Sequence, residues 1–213
     1  MRMRRKKHRE DRMELCSDIM IENFTDYKED LKSVFCDDKP LHIEIGCGKG
    51  KFMLETAKSN PDINFIAIEK NLDVLVLAME KIKREGLTNV RFVAGDAGVL
   101  SEFDTKTKCD VIYINFCDPW KKNRQAKRRL THENFLNVYK KIIASSGMIR
   151  FKTDNKMLFE FSLNSFSDYG LRLKNITLDL HNSSYNEGNI MTEYETLFSE
   201  KGQPIYSCHA IYE

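Results

Sequence analysis

The chain has 213 residues, 41% of them hydrophobic and 31% charged, with a formal net charge of +2. That suits one folded α/β-sized domain with a well-solvated surface. No apolar run approaches the roughly 20 residues needed to span a bilayer, and the basic start Met1–Arg9 is followed by Glu10, Asp11, Arg12 and Glu14 instead of an apolar stretch. A signal peptide and a membrane partner are therefore not expected, and a cytoplasmic location is. Cys16, Cys36, Cys47, Cys109, Cys117 and Cys208 include no C-x-x-C pair and no histidines at ligand spacing, so neither a metal site nor a disulfide framework is expected.

In chain order, a basic N-terminal extension over residues 1–30, partly mobile, precedes a domain over 31–213. From about residue 40, short apolar runs alternate with longer amphipathic ones. Strands are predicted at Leu41–Ile45, Asn64–Glu69, Val90–Ala94, Asp110–Phe116 and Met148–Lys152. Helices are predicted at Lys51–Ser59, Leu72–Glu85, Phe135–Ile143 and Met157–Phe166, the second with apolar positions at three-to-four spacing. Gly86, Gly147 and Gly170 stand where helices should stop. Strand–helix alternation implies parallel strands joined by right-handed crossovers. Beyond Gly170, Leu171–Leu180 and Pro204–Tyr212 read as strands flanking a helix at Thr192–Ser199. The last strand is expected to be antiparallel on a mostly parallel sheet.

The segment Glu44-Ile-Gly-Cys-Gly-Lys-Gly-Lys-Phe52 leaves the first strand and opens a helix. Glycines at such a turn permit positive φ and close approach of a ligand to the backbone. Gly46, Gly48 and Gly50 alone are weak evidence, but Glu69 ends the next strand about 20 residues on, where it can accept hydrogen bonds from ribose hydroxyls. The spacing G-x-G-x-G differs from the G-x-G-x-x-G of dinucleotide folds, and Glu44 beside the turn would repel a pyrophosphate. A carboxylate there suits S-adenosylmethionine (AdoMet), which carries an ammonium and a sulfonium, better than a nicotinamide dinucleotide. Asp96, after the third strand, can meet the amine of an adenine; alone, Asp96 or Glu44 reads as a helix cap or a solvated loop residue. Three carboxylates at the ends of three consecutive strands favour a ligand.

The fourth strand ends in Asn115-Phe-Cys-Asp-Pro-Trp120, and Lys121, Lys122, Arg124, Lys127, Arg128 and Arg129 follow with no acidic residue among them. Charge runs usually cover solvated loops, but beside a methyl donor this one can grip phosphates. Asp154 lies just past the fifth strand, where it can cap the next helix or, with Asp118, face an acceptor. Guanine suits two such carboxylates, since its N1–H and N2 amine both donate. Thr192 and Glu195 have the spacing of a capping box.

In order, Glu44-Ile-Gly-x-Gly-x-Gly, Glu69, Gly95-Asp-Ala, Asp118-Pro-Trp with a basic tail ending Lys127-Arg-Arg-Leu, Phe151-Lys-Thr-Asp-Asn and Thr192-x-Tyr-Glu closely resemble the bacterial tRNA (guanine-N7-)-methyltransferases of the TrmB type. The resemblance runs from about Met1 to the C-terminus. It implies a Rossmann-like class I AdoMet-dependent methyltransferase fold, a mostly parallel seven-stranded α/β sheet with an antiparallel C-terminal strand. It implies methyl transfer from AdoMet to N7 of a guanosine in the tRNA variable loop (position 46 in tRNA convention). It places AdoMet contacts at Glu44, Glu69, Asp96 and Asp118, with Asp118 catalytic, and acceptor contacts at Lys122, Asp154, Thr192, Glu193, Tyr194 and Glu195. Arg124, Lys127, Arg128 and Arg129 become the RNA-binding segment. Lys121 and Gln125 stand where the family commonly has Pro and His, which bears on the rigidity of that loop. Methylation of a protein or small molecule, and a non-catalytic tRNA-binding module, are the competing readings; a monomer and a homodimer both stay open.

Overall fold

The computed structural model describes residues 8–213, so Arg2, Arg4, Arg5, Lys6 and Lys7 of the basic cluster lie outside the described residues. Strands β1 (Leu41–Ile45), β2 (Asn64–Glu69), β3 (Val90–Ala94), β4 (Cys109–Asn115), β5 (Ile143–Thr153), β6 (Arg172–Thr177) and β7 (Tyr206–Ile211) form one sheet in the order β3-β2-β1-β4-β5-β7-β6. The first five are parallel; β7 runs antiparallel between β5 and β6. The strand order reverses at β1, which puts the ligand-binding crevice of an open α/β sheet at the carboxyl ends of β1 and β4.

Helices α2 (Lys51–Ser59) and α3 (Leu72–Arg84) cover one face, burying Phe52, Met53, Ala57, Leu75, Ala78, Met79 and Ile82 against Phe65, Ala67 and Phe92. On the opposite face α4 (Glu133–Ile142) and α5 (Lys156–Asp168) bury Leu136, Tyr139, Ile142, Leu158, Phe159 and Phe166 against Ile43, Ile112, Ile114 and Phe151. Strands β1, β4 and β5 turn an apolar face to α4 and α5 (Ile43, Ile112, Ile114, Ile149 and Phe151), while their other face carries His42, Glu44, Asn115, Arg150 and Lys152. Gly50 has φ of 79°, and a Cβ on it would come within 2.7 Å of the Ala78 Cβ, so the third glycine of the turn is what lets α2 pack on α3.

Three features depart from expectation. Residues 8–30 are packed onto the domain: helix α1 (Arg9–Glu14) lies on α3 through a two-pronged Arg12–Glu80 pair at 2.6 Å, and Cys16, Ile19, Ile21 and Phe24 are buried. The Ile21 amide donates to the Phe92 carbonyl at 2.8 Å, so this segment covers the open edge of β3. Second, β5 begins at Ile143 directly after α4, and its register against β4 jumps from Cys109↔Ile143 to Val111↔Met148. Gly147 therefore does not stop a helix; it lies in β5, where a Cβ would come within 3.0 Å of the Asp110 carbonyl. Third, β6 ends at Thr177, short of Leu180, because Asn175 takes φ of 52° and the pairing with β7 slips between Lys174 and Thr177.

Candidate active site

Strand β1 carries Glu44 on the α2 face, opposite Tyr113 of β4 and Ala67 of β2. Its side chain is almost wholly buried. Oε1 accepts a hydrogen bond from the Asn115 amide at 3.1 Å, and Oε2 is buried without a partner. Burial pushes the Glu44 carboxyl up to about 8; the Asn115 bond and the charge of Lys152 work the other way, while Glu193 and Glu69 add to the rise. A buried carboxylate oxygen with nothing to bond is costly, and a cationic group seated beside it removes the cost. The donor set thus fits the ammonium end of AdoMet.

The glycine turn stands over this carboxylate. Gly46 and Cys47 donate their amides to the Ile68 carbonyl, at 2.8 and 3.1 Å. A Cβ built on Gly46 or Gly48 would meet nothing within 4 Å, so the turn opens onto free space. Glu69 braces it, one oxygen accepting from the Gly48 amide at 3.1 Å and the other from the Asn71 amide at 2.8 Å. Asp96 accepts from the Gly98 amide at 2.8 Å and caps the single turn Ala97–Leu100. That satisfies the capping alternative for Asp96 without burying it.

After β4 the chain makes a tight loop in which two non-glycine residues have positive φ, Phe116 at 52° and Trp120 at 44°. Such conformations cost roughly 1–3 kcal/mol each and persist where surroundings enforce them. Here the Phe116 amide donates to the Lys152 carbonyl at 2.9 Å, and the Arg129 guanidinium donates to the Pro119 and Trp120 carbonyls at 3.1 and 3.0 Å. Asp118 projects from this loop, 67% exposed, with the Lys70 ammonium 3.6 Å away. Arg129 is buried and lies 4.3 Å over the Phe161 ring, so it differs from the expected RNA-facing residue: its charge is spent on the loop's carbonyls. Lys122, Arg124, Lys127 and Arg128 are exposed on or beside the turn Asn123–Arg128, with Arg128 4.9 Å over the Trp120 ring.

Helix α6 (Glu193–Ser199) supplies the opposite wall and opens with the expected capping box between Thr192 and Glu195. Its first three residues go to different places. Glu193 accepts from the Lys51 amide at 3.2 Å and pairs with Lys81 at 2.5 Å, so it reaches the donor side of the site. The Tyr194 hydroxyl donates to Asp154 at 3.2 Å, and its ring stacks on Phe198 at 4.2 Å. Glu195 differs from the expected acceptor contact: it is fully buried, with Lys152 at 2.7 Å, His181 at 2.9 Å and the Asn189 amide at 2.9 Å. Burial works to raise this carboxyl, but the Lys152 charge and the hydrogen bonds from Lys152, Asn189 and His181 outweigh it and hold it below the usual range. Asn155, not Asp154, caps α5, accepting from the Leu158 amide at 2.9 Å, which leaves the Asp154 carboxylate to Tyr194.

Sequence spacing does not find Asn115, Lys70, Lys81 or Lys152, because each acquires its partner only when the strands align. Glu44, Glu69, Asp96, Asp118 and Asp154 all stand on the carboxyl edge of the sheet. No group of three or more His, Cys, Asp or Glu side chains among the described residues is arranged to hold a metal ion. No helix among them is long and apolar enough to cross a membrane.

Residues 38–208 match a family model described as "Putative methyltransferase". The chain is 50% identical over 206 residues to the tRNA (guanine-N(7)-)-methyltransferase of Bacillus subtilis strain 168, covering 97% of this chain and 96% of that one. It is 48% identical over 213 residues to the same-named protein of Listeria monocytogenes serotype 4b, covering 100% and 99%. Among solved structures, the 16S rRNA methyltransferase KamB superposes with a TM-score of 0.61 at 10% identity, over 82% of this chain and 88% of that one, a likeness of fold alone. Identity near one half, sustained over the whole length of both chains and joined to this sheet topology, places the protein in the tRNA (guanine-N(7)-)-methyltransferase family.

Proposed function

We propose that the protein transfers a methyl group from AdoMet to N7 of a guanosine in the tRNA variable loop, giving 7-methylguanosine. The observation that carries the reading is the unpartnered Glu44 oxygen under an open glycine turn, on the same sheet edge as an exposed basic turn. Glu44 would hold the amino-acid end of AdoMet, Glu69 the ribose and Asp96 the adenine. Bound there, AdoMet supplies a methyl group activated by its sulfonium. Guanine N7 carries a lone pair and no proton, so the chain needs no strong general base. Its own part is to orient the purine with Asp118, Asp154, Lys122 and Tyr194, and to hold negative charge near a ring that becomes cationic as N7 is alkylated. Nucleoside analysis of tRNA incubated with the protein and AdoMet tests the reaction. 7-Methylguanosine is expected; a different methylated nucleoside, or label entering only protein, would overturn it.

Glu44 gives a second expectation. With its carboxyl at about 8 in the free protein, Glu44 is mostly protonated at pH 7. A cation seated beside it favours the ionised form, so binding expels a proton. Affinity should rise between pH 6 and 7.5, by up to about tenfold per unit. Calorimetry at pH 7 in buffers of different ionisation enthalpy should show net proton release approaching one per AdoMet, and Glu44→Gln should abolish that release while weakening binding. Zero release from the wild type would remove Glu44 from the donor pocket.

The basic turn gives a third. Changing Lys122, Lys127 and Arg128 together to Ala should weaken tRNA binding at least tenfold at moderate salt and lower the slope of log affinity against log salt by about 3. Fluorescence anisotropy across a salt series reads both quantities. Unchanged affinity would take the turn off the RNA-docking surface.

A further inference from the structure

The sheet face next to α2 holds a cleft of about 590 Å³, inside the range of small-ligand sites, that reaches Asn115 and Lys152 at the carboxyl ends of β4 and β5. Its floor is the polar side of β1, β4, β5 and β7, including His42, Tyr113, Arg150 and His209; its walls are α2 and the segment Ser184–Ile190. A sheet face over a core is normally apolar, and this one is not.

Three observations point to a ligand. Arg150 has no carboxylate within ion-pair distance among the described residues; its guanidinium lies 5.8 Å over the Tyr113 ring. The Thr56 hydroxyl, on the α2 wall, is buried with no hydrogen-bond partner, although Thr56 is only 4% exposed. The remaining lining is polar and only partly engaged: the Asn60 amide donates to the Thr56 carbonyl at 2.8 Å, His42 Nδ1 lies 3.1 Å from the Tyr113 hydroxyl and the Asn175 amide 3.2 Å from His209 Nδ1, so the Nε2 of each ring and the side-chain carbonyls of Asn60 and Asn175 are what a ligand would meet. Burial, reinforced at His42 and His209 by the neighbouring Arg150 charge, pushes both imidazoles down to about 4, although Asp110 opposes it at His42. They are therefore neutral hydrogen-bonding groups, and Lys152 is committed to Glu195, Asn189 and the Ile190 carbonyl. The charge left for a ligand is that of Arg150, with Glu187 as the acidic group at the rim. Tyr185, 45% exposed, offers an aromatic face at the mouth.

One guanidinium, an exposed aromatic ring and a set of amides and imidazoles make up the chemistry that binds single-stranded nucleic acid: charge for phosphate, a ring for stacking, amides for base edges. We infer that this cleft takes a phosphorylated nucleoside, supplied by the tRNA strand flanking the methylated guanosine. The source rests on the function proposed above; the chemistry of the cleft does not. Arg150 and Asp154 lie four residues apart on and just past β5, roughly 13 Å along a strand, which is the reach of a few nucleotides. Ile190 and Lys152 form the shared wall between the cleft and the α6 side of the active site.

The test uses the full chain with Arg150→Gln, Tyr185→Ala and, as a charge control on the opposite face, Lys140→Gln. Expected for Arg150→Gln is a five- to tenfold loss of tRNA affinity at moderate salt with the salt slope lowered by about 1, and unchanged AdoMet binding by calorimetry. Tyr185→Ala should weaken binding without changing the slope, and Lys140→Gln should do neither. A parallel arm titrates uridine 5′-monophosphate while following the imidazole proton resonances of His42 and His209. Shifts in the wild type that vanish in Arg150→Gln, with tRNA affinity intact, would assign the cleft to a free nucleotide instead of the tRNA strand. No change in either arm, or an equal loss in Lys140→Gln, would overturn the site. Both arms read binding, so absence of 7-methylguanosine in the wild-type assay would reject the reaction while leaving this result to stand separately.

Discussion

Alanine at Asp118 should lower methyl transfer to tRNA by about 10²- to 10³-fold, the range for removing one preorganised electrostatic group, while tRNA affinity changes less than about twofold. Asp118 is exposed and its nearest cation is Lys70 at 3.6 Å, so the fold does not depend on it. What depends on it, in the proposed reaction, is a purine gaining positive charge as N7 accepts the methyl group. Asp118→Asn separates the two contributions. It keeps an accepting oxygen but drops the charge, so recovery of most activity would mean that orientation dominates, and little recovery that charge does. Single-turnover rates at saturating AdoMet, with tRNA binding measured by anisotropy, give both numbers. An Asp118→Ala rate within tenfold of wild type would remove Asp118 from the catalytic role.

The loop that presents Asp118 explains why the basic run is not uniform. Positive φ at Phe116 and Trp120 requires an enforcing partner, and Arg129 is that partner through the Pro119 and Trp120 carbonyls. A run of cations read as one RNA-binding block thus divides by burial. Lys122, Arg124, Lys127 and Arg128 face solvent, and Arg129 shapes the loop.

Elements whose signal is local were legible in the sequence. The glycine turn, the capping box at Thr192 and Glu195, and the apolar spacing of Leu72–Glu85 are each contained within a few turns of chain. The short strands β1, β2 and β3 coincide with the predicted spans because they are apolar runs between clear turn signals. What was not legible depends on alignment between distant segments. Glu195 looks like any acidic residue of a first helical turn until Lys152, His181 and Asn189 converge on it. Met20 and Ile21 carry no strand pattern, and it is the open edge of β3 that recruits them. The Arg150 cleft draws its lining from elements across the whole domain, with no motif spacing at all.

Glu195→Ala should destabilise the protein by about 3–5 kcal/mol, because it strands a buried ammonium. Lys152 is 9% exposed at its side chain and Glu195 is 0%. Losing the carboxylate also removes a hydrogen-bond partner from His181 and Asn189 and undoes the capping box at Thr192. For a domain of this size, that loss lowers the melting temperature by roughly 6–20 °C. The effect should not stay local to stability. Glu195 fixes the start of α6, which holds Glu193 against the glycine turn and Tyr194 against Asp154, so KM for AdoMet and for tRNA should both rise in the variant that remains folded. The double change Lys152→Met with Glu195→Leu removes both charges together. A buried pair replaced by apolar groups is often neutral, so the double variant should recover most of the lost stability. It should not recover the KM values, because neither new side chain can hold Asn189 and His181. Chemical denaturation of the three variants measures the first claim and steady-state kinetics the second. A Glu195→Ala loss below about 1 kcal/mol would mean that water reaches Lys152, and the buried network would then not be what seats α6.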